Sequence, residues 1–202
     1  MSLVDALIKD GWLKTGKIIE AFRKIKREDF LALSEIEGML KDSKNLAELD
    51  EALPIGYGQT ISQPLTVAFM LELLQPKEGE KILDVGSGSG WTSALLAHIV
   101  SGGELKSNIK YQKSKINGRV IAVEIVPELK GFGEKNVSKY NFVKKGIVKY
   151  VLGDGSKGYQ EESPDDKILA SAAGRDLPVA WKKQLKIGGR IVCPIGSSLW
   201  LF

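Results

Sequence analysis

The sequence predicts an α/β fold: a three-layer sandwich around a mostly parallel, doubly wound sheet, with a helical extension at the N-terminus. Three observations carry this expectation. From Lys81 onward, apolar runs of strand length alternate with segments of helical period. The stretch Lys81–Trp91, KILDVGSGSGW, joins a short apolar strand to a helix through a glycine-rich turn. Acidic residues Asp84, Glu124 and Asp154 fall at the ends of three predicted strands, where parallel sheets bind ligands.

Length and composition narrow the setting. A chain of 202 residues forms one domain with a sizeable core. Its parts are an N-terminal helical region (1–55), a loop and helix (56–80), and a sheet core (81–202). The 43% hydrophobic and 27% charged fractions are those of a soluble globular protein, and the net charge of +4 is too small to imply an anionic partner alone. No apolar run is long enough to span a bilayer. The first residues, MSLVDALIKDGW, carry Asp5 and no basic residue ahead of their apolar part, which is not the pattern of a signal peptide. One cysteine, Cys193, and one histidine, His98, leave no internal disulfide and argue against a zinc site. A reducing, cytoplasmic location follows, with no membrane partner.

The elements are read in order. Residues 2–30 have helical period: Val4, Ile8 and Trp12 form one stripe, and Ile18, Ile19, Phe22 and Ile25 a second. Ser2 ahead of Asp5 is a candidate cap. Residues 31–53 are expected to be loop with short helical pieces. Gly56–Pro64, GYGQTISQP, reads as a polar loop entering a helix, with Thr60 and Ser62 as candidate capping hydroxyls and Pro64 in the first turn. A hydroxyl beside a helix N-terminus also suits an anion. Val67, Met70, Leu71 and Leu74 then mark a core face. After the glycine turn, Trp91–Val100 is helical, and His98 within it is expected to be structural. Ser101–Gly118 carries Lys106, Lys110, Lys113 and Lys115 against Glu104 alone, and is expected to be a surface loop. A nucleic-acid contact is the alternative there, without support from aromatic residues beyond Tyr111.

Further strands are predicted at Arg119–Glu124, Val148–Leu152, Asp166–Ala173 and Arg190–Ile195, with Ser197–Phe202 able to begin a sixth. Helices are predicted at Pro127–Asn141 and Pro178–Leu185, and Gly188–Gly189 turns the chain. Lys167 is out of place in a covered strand and is expected to extend its amine to the solvent end. Asp154, between Gly153 and Gly155, is either a turn residue or a ligand contact. Glu124, at a strand end, is either a surface carboxylate or an acceptor for two ribose hydroxyls.

The glycine turn separates two cofactor classes. A dinucleotide site calls for GxGxxG, whereas Gly86, Gly88 and Gly90 read GxGxG with Asp84 two residues ahead. This arrangement resembles motif I of the S-adenosylmethionine-dependent methyltransferases, a Rossmann-like class I fold. GYGQTISQP followed by VAFMLELL is more discriminating: it resembles the signature of the protein-L-isoaspartate O-methyltransferases, and the order of elements is similar from Leu3 to about Ile195.

The resemblance implies methyl transfer from S-adenosyl-L-methionine to the free carboxyl of L-isoaspartyl residues in damaged peptides and proteins. S-adenosyl-L-homocysteine is the product, and repair then proceeds through a succinimide. It implies cofactor contacts at Thr60, Ile61, Asp84, Gly86, Ser87, Gly88, Gly90, Glu124, Ile125, Asp154 and Gly155. Substrate contacts are implied at Gln59, Ser62, Ala172 and Ala173, with Ser62 matching the family's active-site serine. A carboxylate is already ionised at neutral pH, so neither a general base nor a metal is required. The alternatives are a same-fold methyltransferase acting on a small molecule or RNA, and a non-catalytic adenosyl-binding relic. The family pattern continues beyond the fifth strand, whereas this sequence ends at Phe202. Its apolar end, Leu199–Phe202, beside an open sheet edge suggests a monomer or weak dimer. Gly174, Arg175 and Asp176 depart from the family's apolar stretch, and Arg175 is read as a surface residue before a substrate contact.

Overall fold

A computed structural model describes residues 1–32, 43–103 and 118–202 of the chain. The lysine-rich segment, including Lys106, Lys110, Tyr111, Lys113 and Lys115, lies outside the described residues, as does much of 31–53. Two short helices open the fold, α1 (Leu3–Lys9) and α2 (Gly16–Lys24), followed by a 3-10 turn at Arg27–Phe30 and α3 (Ser43–Ala47). Ser2 caps α1 as expected, its hydroxyl oxygen accepting the Asp5 N–H at 3.2 Å. Trp12 falls beyond α1 and packs edge-on against Phe69 at 5.9 Å. Ile18, Phe22 and Ile25 are buried.

The central sheet contains β3 (Lys81–Val85), β4 (Arg119–Glu124), β5 (Val148–Leu152), β6 (Asp165–Ala170), β7 (Leu185–Ile195) and β8 (Ser198–Leu201). Their spatial order is β5-β4-β3-β6-β7-β8, with β3 to β7 parallel and β8 antiparallel on the edge. The chain winds outward from β3 through β4 to β5, then crosses back to lay β6 on the other side of β3. That reversal leaves a crevice at the C-terminal tips of β3 and β6. The fifth strand begins at Leu185, earlier than expected, because Gly188 (φ +77°) bulges within the strand and shifts its register against β6.

Helices α4 (Pro64–Leu74), α5 (Trp91–Val100) and α6 (Pro127–Ser138) cover the sheet face bearing Ile82, Val120, Ala122 and Leu169. The opposite face, with Leu83, Ile121, Ile168 and Ile191, is covered among the described residues by α7 (Val179–Gln184) and the segments around it. Trp181 anchors that layer, its indole N–H donating to the Gly155 carbonyl at 2.8 Å.

The stretch read as a loop before α4 is a hairpin. Strand β1 (Leu53–Gly56) pairs antiparallel with β2 (Gln59–Ile61) across Tyr57 and Gly58. Both turn residues have positive φ, 55° and 69°, which twists the ribbon as a two-residue hairpin requires. Nor do Thr60 or Ser62 cap α4. Pro64 stands in its first turn as expected, but Gln63 at the N-cap gives no side-chain cap; Asp50 instead accepts the Leu65 N–H at 2.8 Å. Lys167 also differs from expectation. It is buried, and its ammonium donates to the Gln75 carbonyl and pairs with Glu80 at 3.1 Å. A charge in that position is tolerable only with such partners.

Asp84 is fully buried on β3 and accepts the Ser93 hydroxyl at 2.5 Å, tying the strand to α5. Desolvation pushes its carboxyl up to about 7, opposed by the Ser93 hydrogen bond and reinforced by the Glu124 charge. The folded value lies above the ordinary 3.8, so the fold favours protonated Asp84. That contribution is complete below about pH 4 and is lost as the pH rises to about 7. Asp165 is shifted upward to about 7 as well, first by burial, and adds its own share. We predict that Asp84→Asn loses less stability than wild type between pH 5 and pH 8 in urea melts. One such carboxyl gives a slope of at most about 1.4 kcal/mol per pH unit. Identical slopes in both proteins would show that Asp84 ionises freely in the fold.

Candidate active site

The strand tips and the hairpin enclose a hollow of about 400 Å³, within the range that holds a drug-sized ligand. One wall is the turn after β3. Gly86 and Gly88 both have positive φ there, and a Cβ on Gly86 would meet the Ala172 side chain at 3.0 Å. The turn therefore passes so close to the segment after β6 that a side chain would be crowded. The second wall comes from β4 and β5, with Glu124, Ile125, Asp154 and Gly155. Gln59, Thr60, Ile61 and Ser62 of β2 and the residue after it supply the third.

Glu124 is the buried acid of this hollow. One carboxylate oxygen accepts the Gly88 N–H at 2.8 Å, and the other accepts Ile125 N–H at 2.8 Å and Val126 N–H at 3.0 Å. A carboxylate has about four acceptor positions, so roughly one remains, on the oxygen facing Gly88. Asp154 lines the hollow but turns its side chain into its own loop, accepting Ser156 N–H at 3.0 Å and Ser156 Oγ–H at 2.7 Å. The Ser156 bonds hold its carboxyl below the usual range. Ile125 is 67% exposed at the rim, an apolar face open to a planar ligand group.

Of the residues singled out from sequence, Gln59, Thr60, Ile61, Ser62, Gly86, Ser87, Gly88, Glu124, Ile125, Asp154, Gly155, Ala172 and Ala173 all border this one hollow. Two do not. Asp84 points with Ile82 toward the helical layer and ends at Ser93, so no atom of it lines the hollow. Gly90 turns away as the N-cap of α5, where a Cβ would strike the Tyr150 hydroxyl at 2.5 Å and the Gly133 carbonyl at 2.8 Å. Its role there is to let α5 start against α6 and β5. Arg175 is exposed and outside the hollow, although its neighbours Gly174 and Asp176 border it. His98 is buried in α5 and faces Glu20 at 3.5 Å, a structural position. Burial lowers its pKa.

Trp91, Trp181 and Cys193 also line the hollow and were not singled out as contacts. Trp91 closes the glycine motif in sequence, and that adjacency was the available signal. Trp181 and Cys193 are brought in by the β6–β7 crossover, which leaves no local trace. Among the described residues no group of three His, Cys, Asp or Glu is placed to hold a metal. No described helix is long and apolar enough to cross a membrane.

The chain is similar to known proteins along nearly its whole length. The profile of the family described as protein-L-isoaspartate(D-aspartate) O-methyltransferase matches residues 1–200. A Methanopyrus kandleri protein-L-isoaspartate O-methyltransferase is 39% identical over 98% of this chain and 79% of its own length. A second form of that enzyme from Archaeoglobus fulgidus is 42% identical over 92% of this chain and 74% of its own. Among solved structures, a protein-L-isoaspartate O-methyltransferase superposes with a TM-score of 0.78 at 28% identity, covering 99% of this chain but 58% of that one. A Plasmodium falciparum structure in complex with S-adenosyl-L-homocysteine shares the fold, with a TM-score of 0.77 at 23% identity. On the profile match and on identities near 40% across almost every element described above, the chain belongs to the protein-L-isoaspartate(D-aspartate) O-methyltransferase family.

Proposed function

We propose that the hollow holds S-adenosyl-L-methionine along the tips of β3, β4 and β5, and that the hairpin end presents an L-isoaspartyl carboxyl to it. One observation carries this reading: Ser62 shares a hollow with Gly86, Glu124 and Asp154. The residues present fit the cofactor. Gly86 and Gly88 give backbone that a ligand can approach closely, and Glu124 keeps one acceptor position for a ribose hydroxyl. Ile125 offers an apolar rim for the adenine, with Asp154 and Gly155 beside it. Thr60 and Ile61 flank the same space from the hairpin.

When bound, the cofactor supplies a methyl group already activated by its sulfonium charge. The substrate carboxylate takes that methyl as the carbon–sulfur bond breaks, and the electron pair stays with sulfur. No proton need be removed from a carboxylate at neutral pH, so the chain's task is alignment. Ser62 donates a hydrogen bond that turns one carboxylate oxygen toward the methyl, while Gln59, Ala172 and Ala173 border the substrate. Holding the reactants in line supplies on the order of 7–11 kcal/mol in well-oriented systems. The methyl ester then closes to a succinimide without help from the protein. Asp84 acts behind the turn, by fixing α5 to β3, and not as a direct ligand. The lone buried cysteine supports a cytoplasmic setting.

Labelled S-adenosyl-L-methionine offered with an isoaspartyl peptide, its aspartyl twin or RNA tests the reading. Label in the isoaspartyl peptide alone supports it; label in RNA alone, or cofactor binding with no transfer, replaces it. Ser62→Ala is expected to keep cofactor affinity and lower kcat by about 10- to 100-fold, the worth of one hydrogen bond to a charged group. Unchanged isoaspartyl turnover would remove Ser62 from the site. For Glu124→Ala, calorimetry should show cofactor binding weakened by about tenfold or more. An unaltered affinity would mean that the ribose lies elsewhere.

A further inference from the structure

Arg27 is an unusual buried cation. It is 6% exposed, and burial lowers its pKa to about 10, opposed by the charge of Asp50. Its two terminal nitrogens donate to backbone carbonyls, while the buried Nε has no partner among the described residues. One terminal nitrogen donates to Leu49 O at 2.9 Å and Ala47 O at 3.4 Å, the other to Glu51 O at 2.6 Å and Ser62 O at 3.4 Å. The guanidinium carbon also sits 5.4 Å from the centre of the Trp91 ring, a cation–π contact with a wall of the hollow.

These contacts converge on the segment that carries Ser62. Leu49 and Glu51 flank Asp50, so the guanidinium fixes Asp50 from both sides. Asp50 in turn caps α4 through Leu65 N–H at 2.8 Å and accepts the Gln63 amide at 3.2 Å on its carboxylate and 3.1 Å on its carbonyl. Ser62 is therefore held at its own carbonyl by Arg27 and at the next residue by Asp50. A planar fork with several diverging donors suits such a cluster of carbonyls, whereas a lysine ammonium is a point donor.

Building on the function proposed above, we infer that Arg27 is a positioning residue: it clamps Ser62 against Asp50 and Trp91 so that the serine hydroxyl keeps a fixed aim into the hollow. The guanidinium touches neither reactant and acts through the residues it binds.

Arg27→Lys and Arg27→Met test this, with Asp50→Asn as a variant of the same clamp outside the guanidinium. Two readouts are needed. The first is hydrogen exchange, which is expected to rise at residues 59–65 in the Arg27 variants while the core amides of β3 and α5 stay protected. The second is kinetic: kcat on the isoaspartyl peptide is expected to fall about tenfold or more while S-adenosyl-L-homocysteine affinity stays within about threefold. Unchanged exchange at 59–65 would overturn the clamp. Raised exchange with full kcat would overturn its positioning role. Equal losses of kcat and homocysteine-product affinity, or collapse of every variant, would make Arg27 a general structural residue and overturn the inference too. If the wild-type protein transfers no label to an isoaspartyl peptide, the proposed function fails, while the exchange data still decide whether Arg27 clamps Ser62.

Discussion

The arrangement depends on one close approach of backbone to backbone. Strand β6 crosses back to lie beside β3, and the turn leaving β3 meets the tip of β6 where a Gly86 Cβ would stand 3.0 Å from Ala172. Glycine suits that contact best, since its φ is +74°. The contact closes the floor of the switch-point crevice, and the walls follow from it. The turn then lies within reach of Glu124, which accepts the Gly88 N–H, and the hairpin folds over the open side. A side chain at Gly86 would crowd Ala172 and strain a left-handed backbone position.

Two kinds of acid surround this floor, and their surroundings divide their work. Glu124 at the tip of β4 reaches the hollow and is held by three backbone N–H groups. Asp84, one residue before the end of β3, is sealed beneath Ser93, and burial raises its pKa. An acid that faces the hollow and a carboxyl locked into the frame thus lie on neighbouring strands, distinguished by position along the strand more than by residue type.

The sequence made the sheet legible because buried parallel strands are continuous apolar runs and their ends are marked by glycine or acid. Most of the site residues named from the sequence border the hollow for the same reason: strand tips converge by topology. What stayed hidden depended on partners remote in the chain or on backbone. The alternation of β3 sends Asp84 to the same face as Ile82, and the covering Ser93 decides its fate. The hairpin was masked because Tyr57 occupies a left-handed position usually taken by Asn, Asp or Gly. Lys167 finds Glu80 across two elements, and Arg27 binds carbonyls, which every residue carries and no motif records.

The central claim is spatial: one cradle of strand tips holds the cofactor, and the serine at the hairpin end orients a peptide acid toward it. A crystal structure with S-adenosyl-L-homocysteine and an isoaspartyl peptide tests it most directly. The account predicts the thioether sulfur beside the Gly86 turn, a ribose hydroxyl on Glu124, and the peptide carboxylate hydrogen-bonded to the Ser62 hydroxyl while facing the sulfur. A carboxylate seated away from Ser62, or a nucleoside bound outside the tips of β3, β4 and β5, would contradict it.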